Sequence, residues 1–367
     1  MAALVKLGFR DRSAPGPVDL ETLTHPERVA ESAGLRYLAD DEPGIRRVRC
    51  GTGFSFRTPD GATLDREGEG RARLDALVIP PAWEDVWVCP DPRGHLQATG
   101  RDAAGRKQYL YHPDWHAAAG AAKWLRVAAF GRALPRLRRR IRKDGRRRKY
   151  DKLKVSALAA RILDGTAIRA GSPEYAADHG THGLTTLTAE HVTVAGGAVE
   201  LAFVGKHGVD RRARLTGRAW ARRAKKLLKL AGGEPFLQYR GRDGAWHPLS
   251  AGNVAEYLLD ATGDRFTAKD FRSWHGSRVA LEAVLRAAPD AKAKDVKLAA
   301  EDAAAAFLGN TRAVCREYYV HPAVTAAIGR PAPRPVRGRG LRKAERRLLR
   351  LLESDPPGVA APPAGEE

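Results

Sequence analysis

The chain has 367 residues, 43% of them hydrophobic, which is long for one domain and enough to build cores for two compact units plus tails. Its 64 Lys and Arg against 43 Asp and Glu give a formal net charge of +21, the electrostatic footprint of a protein that meets a polyanion, for a soluble chain nucleic acid. No apolar run approaches the roughly 18 residues that span a bilayer, no lipidation motif is evident, and Met1-Ala-Ala-Leu-Val-Lys6 lacks the apolar core of a signal peptide. We therefore expect a cytoplasmic, nucleoid-associated protein with no membrane partner. The cysteines Cys50, Cys89 and Cys315 are odd in number and widely separated, as in a reducing compartment. Cys89 with His95 and His112 fits no zinc spacing, so neither a metal nor another cofactor is expected.

Taken in order, residues 1–30 are polar and proline-punctuated and read as an N-terminal arm. From residue 31 to 115, short period-two runs such as Ile45-Arg-Arg-Val-Arg49, Gly53-Phe-Ser-Phe-Arg57 and Leu96-Gln-Ala-Thr99 are divided by turns such as Pro59-Asp-Gly61. That pattern predicts a small antiparallel sheet domain. Within it, the stretch Gly100 to Tyr111 holds Arg101, Arg106, Lys107, Gln108, Tyr109 and Tyr111. Strand alternation puts the two tyrosines on one face, where cations can hold phosphates while Gln and Tyr reach base edges. An ordinary solvated edge strand with two packed aromatics satisfies the same residues.

Residues 116–330 turn helical. Arg136 to Lys149 carries ten Lys and Arg in fourteen residues, self-repelling unless a polyanion is near. Beyond it come Ile168-Arg-Ala-Gly171, Tyr175 and Gly183-Leu-Thr-Thr-Leu187. A glycine-turn hairpin follows, with strands at 192–194 and 199–204, ending in Phe203-Val-Gly-Lys206. Residues 210–232 read as a basic helix, 250–262 as another, and Thr267-Ala-Lys-Asp-Phe-Arg272 leads into a third. Near the end, Gly309-Asn310 is a helix stop and Thr311 a helix start, so a sharp corner precedes Tyr318 and Tyr319. Asn310 as a cap and the tyrosines as packing would account for this stretch by themselves. Residues 331–367 read as a Pro-rich linker, a basic amphipathic helix at 341–353 and a disordered end. The expected fold is thus α+β, a small antiparallel β-sheet domain followed by a larger, mostly α-helical catalytic domain with a small β-hairpin.

The helical part supplies Arg169, Lys206, Lys269, Arg272, Asn310 and Tyr319 in that order. These residue types suit transfer of a phosphodiester to a tyrosine. Guanidiniums match planar, spread negative charge and stay ionised, a lysine can protonate a departing oxygen, and a neutral donor can complete the clamp. Neither a P-loop nor a carboxylate cluster fit for two magnesium ions is present.

Over roughly residues 35–325 the sequence resembles the poxvirus-like type IB DNA topoisomerases, small enzymes also found in bacteria. Six motifs stand in order: Arg106-Lys-Gln-Tyr-x-Tyr111, Ile168-Arg-x-Gly171 with Tyr175 six residues after the arginine, Gly183-Leu-x-Thr-Leu187, Phe203-Val-Gly-Lys206, Lys269-Asp-x-Arg272 and the terminal tyrosine segment. The resemblance implies that Tyr319 is the nucleophile of a 3′-phosphotyrosyl intermediate, that Arg169 and Arg272 hold the scissile phosphate, and that Lys206 is the general acid. It further implies that Gln108, Tyr109, Tyr111, Tyr175, Lys269 and, more loosely, Arg101, Arg106 and Lys107 touch DNA. Duplex DNA is the implied partner, the enzyme monomeric, and relaxation of supercoils independent of ATP and metal. Viral members carry His nine residues before the nucleophile, where this chain has Asn310, which can donate a hydrogen bond but cannot titrate. A tyrosine recombinase is the near alternative, although recombinases typically carry His-x-x-Arg where this chain has Lys269-Asp-Phe-Arg272. A non-enzymatic basic nucleic-acid-binding protein is the alternative from another class.

Overall fold

The computed structural model describes residues 25–65, 67–232 and 234–354; most of the expected arm and the tail from Pro356 lie outside them. Two compact units divide the chain between Lys123 and Trp124. The first holds helix α1 (Pro26–Ser32), strands β1 (Ile45–Cys50) and β2 (Gly53–Arg57), helix α2 (Glu69–Ala76), and strands β3 (Glu84–Val88), β4 (Leu96–Arg101) and β5 (Lys107–Tyr111). The strands form one antiparallel sheet in the order β2-β1-β3-β4-β5. Period-two alternation sends Ile45, Phe56, Val86, Val88 and Ala98 to one face, where Leu74 of α2 closes the core. Each large apolar side chain so buried contributes about 1.5–3 kcal/mol.

Helix α3 (Pro113–Asp144) crosses the division. The second unit continues with α4 (Lys152–Thr166), α5 (Pro173–His179), strands β6 (Val192–Ala195), β7 (Ala198–Gly205) and β8 (Val209–Thr216), and α6 (Arg218–Ala231). A two-stranded ribbon of β9 (Gln238–Arg240) and β10 (Trp246–Pro248) leads to α7 (Ala251–Thr262), α8 (Ala268–Val284), α9 (Ala293–Leu308), α10 (Arg312–Tyr318), α11 (Pro322–Ala326) and α12 (Lys343–Ser354). The protein is therefore α+β, as expected.

One expected helix is in part a strand. Residues 209–216 form β8, and α6 begins only at Arg218. In Arg211-Arg-Ala-Arg-Leu215 the odd positions are the less exposed ones, and all eight residues of β7 find partners on β8. The abundance of arginine masks a period of two.

Helices α4 and α8 are buried nearly all round, because the second unit wraps them. Val155, Ala157 to Ala160, Ile162 and Leu163 of α4 are inaccessible, as are Phe271, Trp274, Ala280 and Leu281 of α8. Phe130 of α3 meets Phe271 edge to face at 4.8 Å and Phe266 at 5.2 Å. The start of α8 is set by a capping box, Thr267 with Asp270, and Asp270 is held in turn by Arg126 at 2.6 Å.

The arginine-rich stretch is partly internal. Arg138 donates two hydrogen bonds to Asp164 (2.9 and 2.8 Å) and two to Glu345 (both 2.8 Å), while Arg140 pairs with Asp144 and Arg147 with Asp151. The amphipathic α12 buries Leu348, Leu349, Leu351 and Leu352 and packs against α8. It is thereby part of the second unit's core.

Candidate active site and nucleic-acid interface

Five residues separated by as much as 150 positions converge in the second unit. Arg169, Lys206 and Arg272 line one pocket. Arg169 donates from Nη2 to Asn310 Oδ1 at 2.6 Å, and the Arg272 guanidinium lies 4.8 Å from the centre of the Tyr319 ring.

Each is placed by local chemistry. Helix α4 ends at Ala167, whose φ of 48° is costly for a residue with a Cβ. That left-handed turn is held from outside, since the Ala167 carbonyl accepts from Arg272 Nη1 at 2.7 Å. Arg169 follows two residues later. Its backbone is clasped by Gly183-Leu-Thr-Thr-Leu187: Leu184 N donates to Arg169 O, and Thr185 N to Ala170 O, at 2.9 and 2.8 Å. A Cβ on Gly183 would stand 2.8 Å from Arg169 O and 2.5 Å from Gly171 N, so this approach needs glycine.

Arg272 is almost fully buried. Besides Ala167 O it donates from Nη2 to Leu308 O at 3.2 Å, at the end of α9, where a cation meets the negative pole of the helix. Its Nε has no partner among the described residues. Lys206 is exposed in the short turn between β7 and β8, and His207 beside it holds a φ of 68°.

The corner before the tyrosines forms as its cap signals predict. Gly309 takes a left-handed φ of 62°, and Thr311 Oγ1 accepts from Val314 N to start α10. Capping is done by Thr311 and by backbone, so the Asn310 side chain is free to bind Arg169. The Asn310 Nδ2 is buried, and the amide acts on the neighbouring Cys315 thiol, opposing the upward push of burial on its pKa. Tyr319 sits half-buried just past the end of α10, its carbonyl accepting from Ser277 Oγ at 3.1 Å, whereas Tyr318 is 44% exposed.

Electrostatically the site carries excess positive charge. Burial, then the neighbouring Arg272, depresses the Arg169 pKa, with Tyr319 and Cys315 acting the other way. A third guanidinium, Arg211 of β8, lines the same pocket and is pushed down to about 10 by burial and by repulsion from Arg272 and Arg169. Sequence reasoning missed it; alternation in Arg211-Arg-Ala-Arg-Leu215, ending on buried Leu215, was the available signal.

Lys269 is exposed on the first turn of α8, one turn before Arg272, and does not line the pocket. Tyr175 is 56% exposed on α5 beside His179.

In the first unit, Arg101, Arg106, Lys107, Gln108, Tyr109 and Tyr111 all lie on the hairpin of β4 and β5. Tyr109 and Tyr111 stack, with centroids 5.9 Å apart and planes 8° off parallel, on one face as alternation requires. The cations have carboxylate neighbours: Arg106 with Asp102, Lys107 with Asp40, and Arg101 at 3.7 Å from Asp85. Gln108 Nε2 also donates to Asp102. Exposed pairs of this kind are worth about 0–1 kcal/mol each, so a phosphate can displace them.

Among the described residues no helix is long and apolar enough to cross a membrane, and no cluster of His, Cys, Asp and Glu has metal-ligand geometry.

Residues 53–102 match the family described as bacterial DNA topoisomerase IB, N-terminal domain, and residues 113–329 match eukaryotic DNA topoisomerase I, catalytic core. The chain is 30% identical over 291 residues to DNA topoisomerase 1B of Acanthamoeba polyphaga mimivirus, an alignment covering 76% of this chain and 85% of the viral one. These matches show that the chain belongs to the type IB DNA topoisomerases.

Proposed function

We propose that this enzyme relaxes supercoiled duplex DNA through a transient 3′-phosphotyrosyl bond to Tyr319, with no call on ATP or a metal ion. The observation that carries the reading is the stack of the buried Arg272 on the Tyr319 ring beside the Arg169 and Asn310 pair. A nucleophile is thereby set next to fixed cations, and charge developing on a phosphate would meet donors that need no reorganisation.

In this mechanism Tyr319 Oη attacks phosphorus, a bond to the 3′-phosphate forms, and the bond to O5′ breaks. The tyrosyl proton passes to solvent, while the Lys206 ammonium delivers one to the leaving O5′. Arg272 spends two of its five N–H donors on carbonyls and keeps three, so it enters the reaction already oriented. The depressed Arg169 pKa is relieved when a phosphodiester arrives between the arginines. Asn310 adds an amide donor. Religation reverses each step, and since one phosphodiester replaces another, torsion in the duplex is the only driving force required.

Two outcomes follow from these roles. Lys206→Ala is expected to lose most cleavage of an ordinary duplex but to regain it on a 5′-bridging phosphorothiolate, whose thiolate leaves without a proton; absence of rescue in single-turnover cleavage would remove Lys206 as the acid. Gly276→Ala places a Cβ 3.0 Å from both Tyr319 O and Leu308 Cδ1, so the tyrosine segment or the leucine must give by a few tenths of an ångström. Cleavage should fall severalfold with duplex affinity unchanged, since a 1 Å misplacement costs about 100-fold and this shift is smaller. An unaltered cleavage rate would mean that the Tyr319 backbone position is not critical.

A further inference from the structure

The turn that carries Lys206 is tied at its base to a second element by the side chain of Arg211. Residues 206 to 210 are all exposed, and Arg211, opposite Phe203 on β7, is the first half-buried residue on the return strand. Its side chain leaves the sheet and reaches the end of α9, where Nη2 donates to the Phe307 carbonyl. There Arg211 Cδ and Nη1 stand 2.9 Å from where a Gly309 Cβ would be, so the fork occupies space that only glycine leaves open. Phe307 O goes to Arg211 and Leu308 O to Arg272, so two arginines from different elements cap the same helix end. Asn310, the partner of Arg169, comes directly after that end. One guanidinium therefore ties the lysine turn to the corner that bears Asn310, despite burial and repulsion by two neighbouring arginines. A merely space-filling role would be met better by an apolar side chain of similar length.

We infer that Arg211 is a positioning residue for the general acid. By anchoring the β7–β8 turn to the end of α9, it sets Lys206 in reach of the leaving oxygen held between Arg169 and Arg272. The inference rests on the acid role of Lys206 proposed above, and its test separates the two.

Single-turnover cleavage is compared on duplexes with an ordinary 5′-oxygen and with a 5′-bridging sulfur, for wild type, Lys206→Ala, Arg211→Ala and Arg211→Gln. On the ordinary duplex Arg211→Ala should be slowed about 100-fold, the cost of a misplaced catalytic group. On the sulfur duplex it should return to within a few-fold of wild type, as Lys206→Ala does, because no proton is then required. Arg211→Gln retains one donor for the Phe307 carbonyl and should lie between; it carries the comparison if the alanine variant fails to fold. Rescue of Lys206→Ala without rescue of the Arg211 variants would overturn the inference, leaving Arg211 as a phosphate ligand or a fold residue. So would an Arg211→Ala rate within threefold of wild type on the ordinary duplex. Failure to rescue Lys206→Ala would instead remove the acid role itself, and this inference with it.

Discussion

Tyr319→Phe is expected to form no covalent adduct with a duplex whose cleaved strand can diffuse away, whereas Tyr318→Phe should form it at close to the wild-type rate. The two tyrosines are adjacent, yet their surroundings differ. Tyr319 lies half-buried with its ring against Arg272, and its backbone is fixed by Ser277, which donates to its carbonyl, and by Cys315, which accepts from its amide. Tyr318 ends α10 and is 44% exposed. In the proposed mechanism, removing the Tyr319 hydroxyl deletes the nucleophile and leaves the guanidiniums in place, so duplex binding should be kept while chemistry vanishes. Removing the Tyr318 hydroxyl is a surface change worth about 0.5 kcal/mol or less, roughly a twofold effect on rate. An adduct formed by Tyr319→Phe but not by Tyr318→Phe would reverse the assignment and detach Arg272 from the chemistry.

The second large effect is on stability. Arg138 is a buried hub whose fork is shared by Asp164 of α4 and Glu345 of α12, and Glu345 Oε2 also accepts from Arg342 N. His275 of α8 joins with Nε2 at 3.4 Å from Asp164 Oδ1, poorly aligned and so an electrostatic contact rather than a full hydrogen bond. Arg278 Nε donates to His275 Nδ1, which leaves the ring proton on Nε2, facing Asp164. Burial raises the Asp164 pKa but is outweighed by His275 and Arg138, and Glu345 is likewise held low, chiefly by Arg138 against its own burial.

Removing one member strands a buried charge, so Glu345→Ala or Arg138→Ala should cost about 3–5 kcal/mol. For a unit of this size that is roughly 6–20 °C in melting temperature. Differential scanning calorimetry decides it, and a loss under 1 kcal/mol would mean that the network is solvated. Acid should expose the same network. His275, kept neutral by burial, has a folded pKa below its unfolded value, so the unfolded chain binds the extra proton and stability falls as pH drops below about 6.5. Asp164 and Glu345, also depressed, contribute stability that is present above the carboxylate range and is lost as pH falls below about 4.

What could be read from the sequence follows from how far apart the determining residues stand. The corner at Gly309 and Thr311 is legible because caps act over three or four residues, and the antiparallel sheet because short runs such as Leu96-Gln-Ala-Thr99 alternate apolar and polar residues. The strand at 209–216 is hard to read because its arginines hide a period of two. No local pattern joins Arg138 to Glu345 across more than two hundred residues; the apolar stripe of α12 announced a helix but not that its glutamate completes a buried network with α3 and α4. Arg211 was hidden for a related reason, its partner carbonyl belonging to Phe307 on another element. The clustering of Arg169, Lys206, Arg272, Asn310 and Tyr319 came from the resemblance and the chemistry of their types. Their order in the chain alone says nothing of their proximity.

The most direct test of the account is relaxation of negatively supercoiled plasmid by the wild-type protein in EDTA, without ATP. The account predicts complete relaxation, abolished in Tyr319→Phe. A protein that binds the plasmid but leaves it supercoiled in EDTA would contradict it.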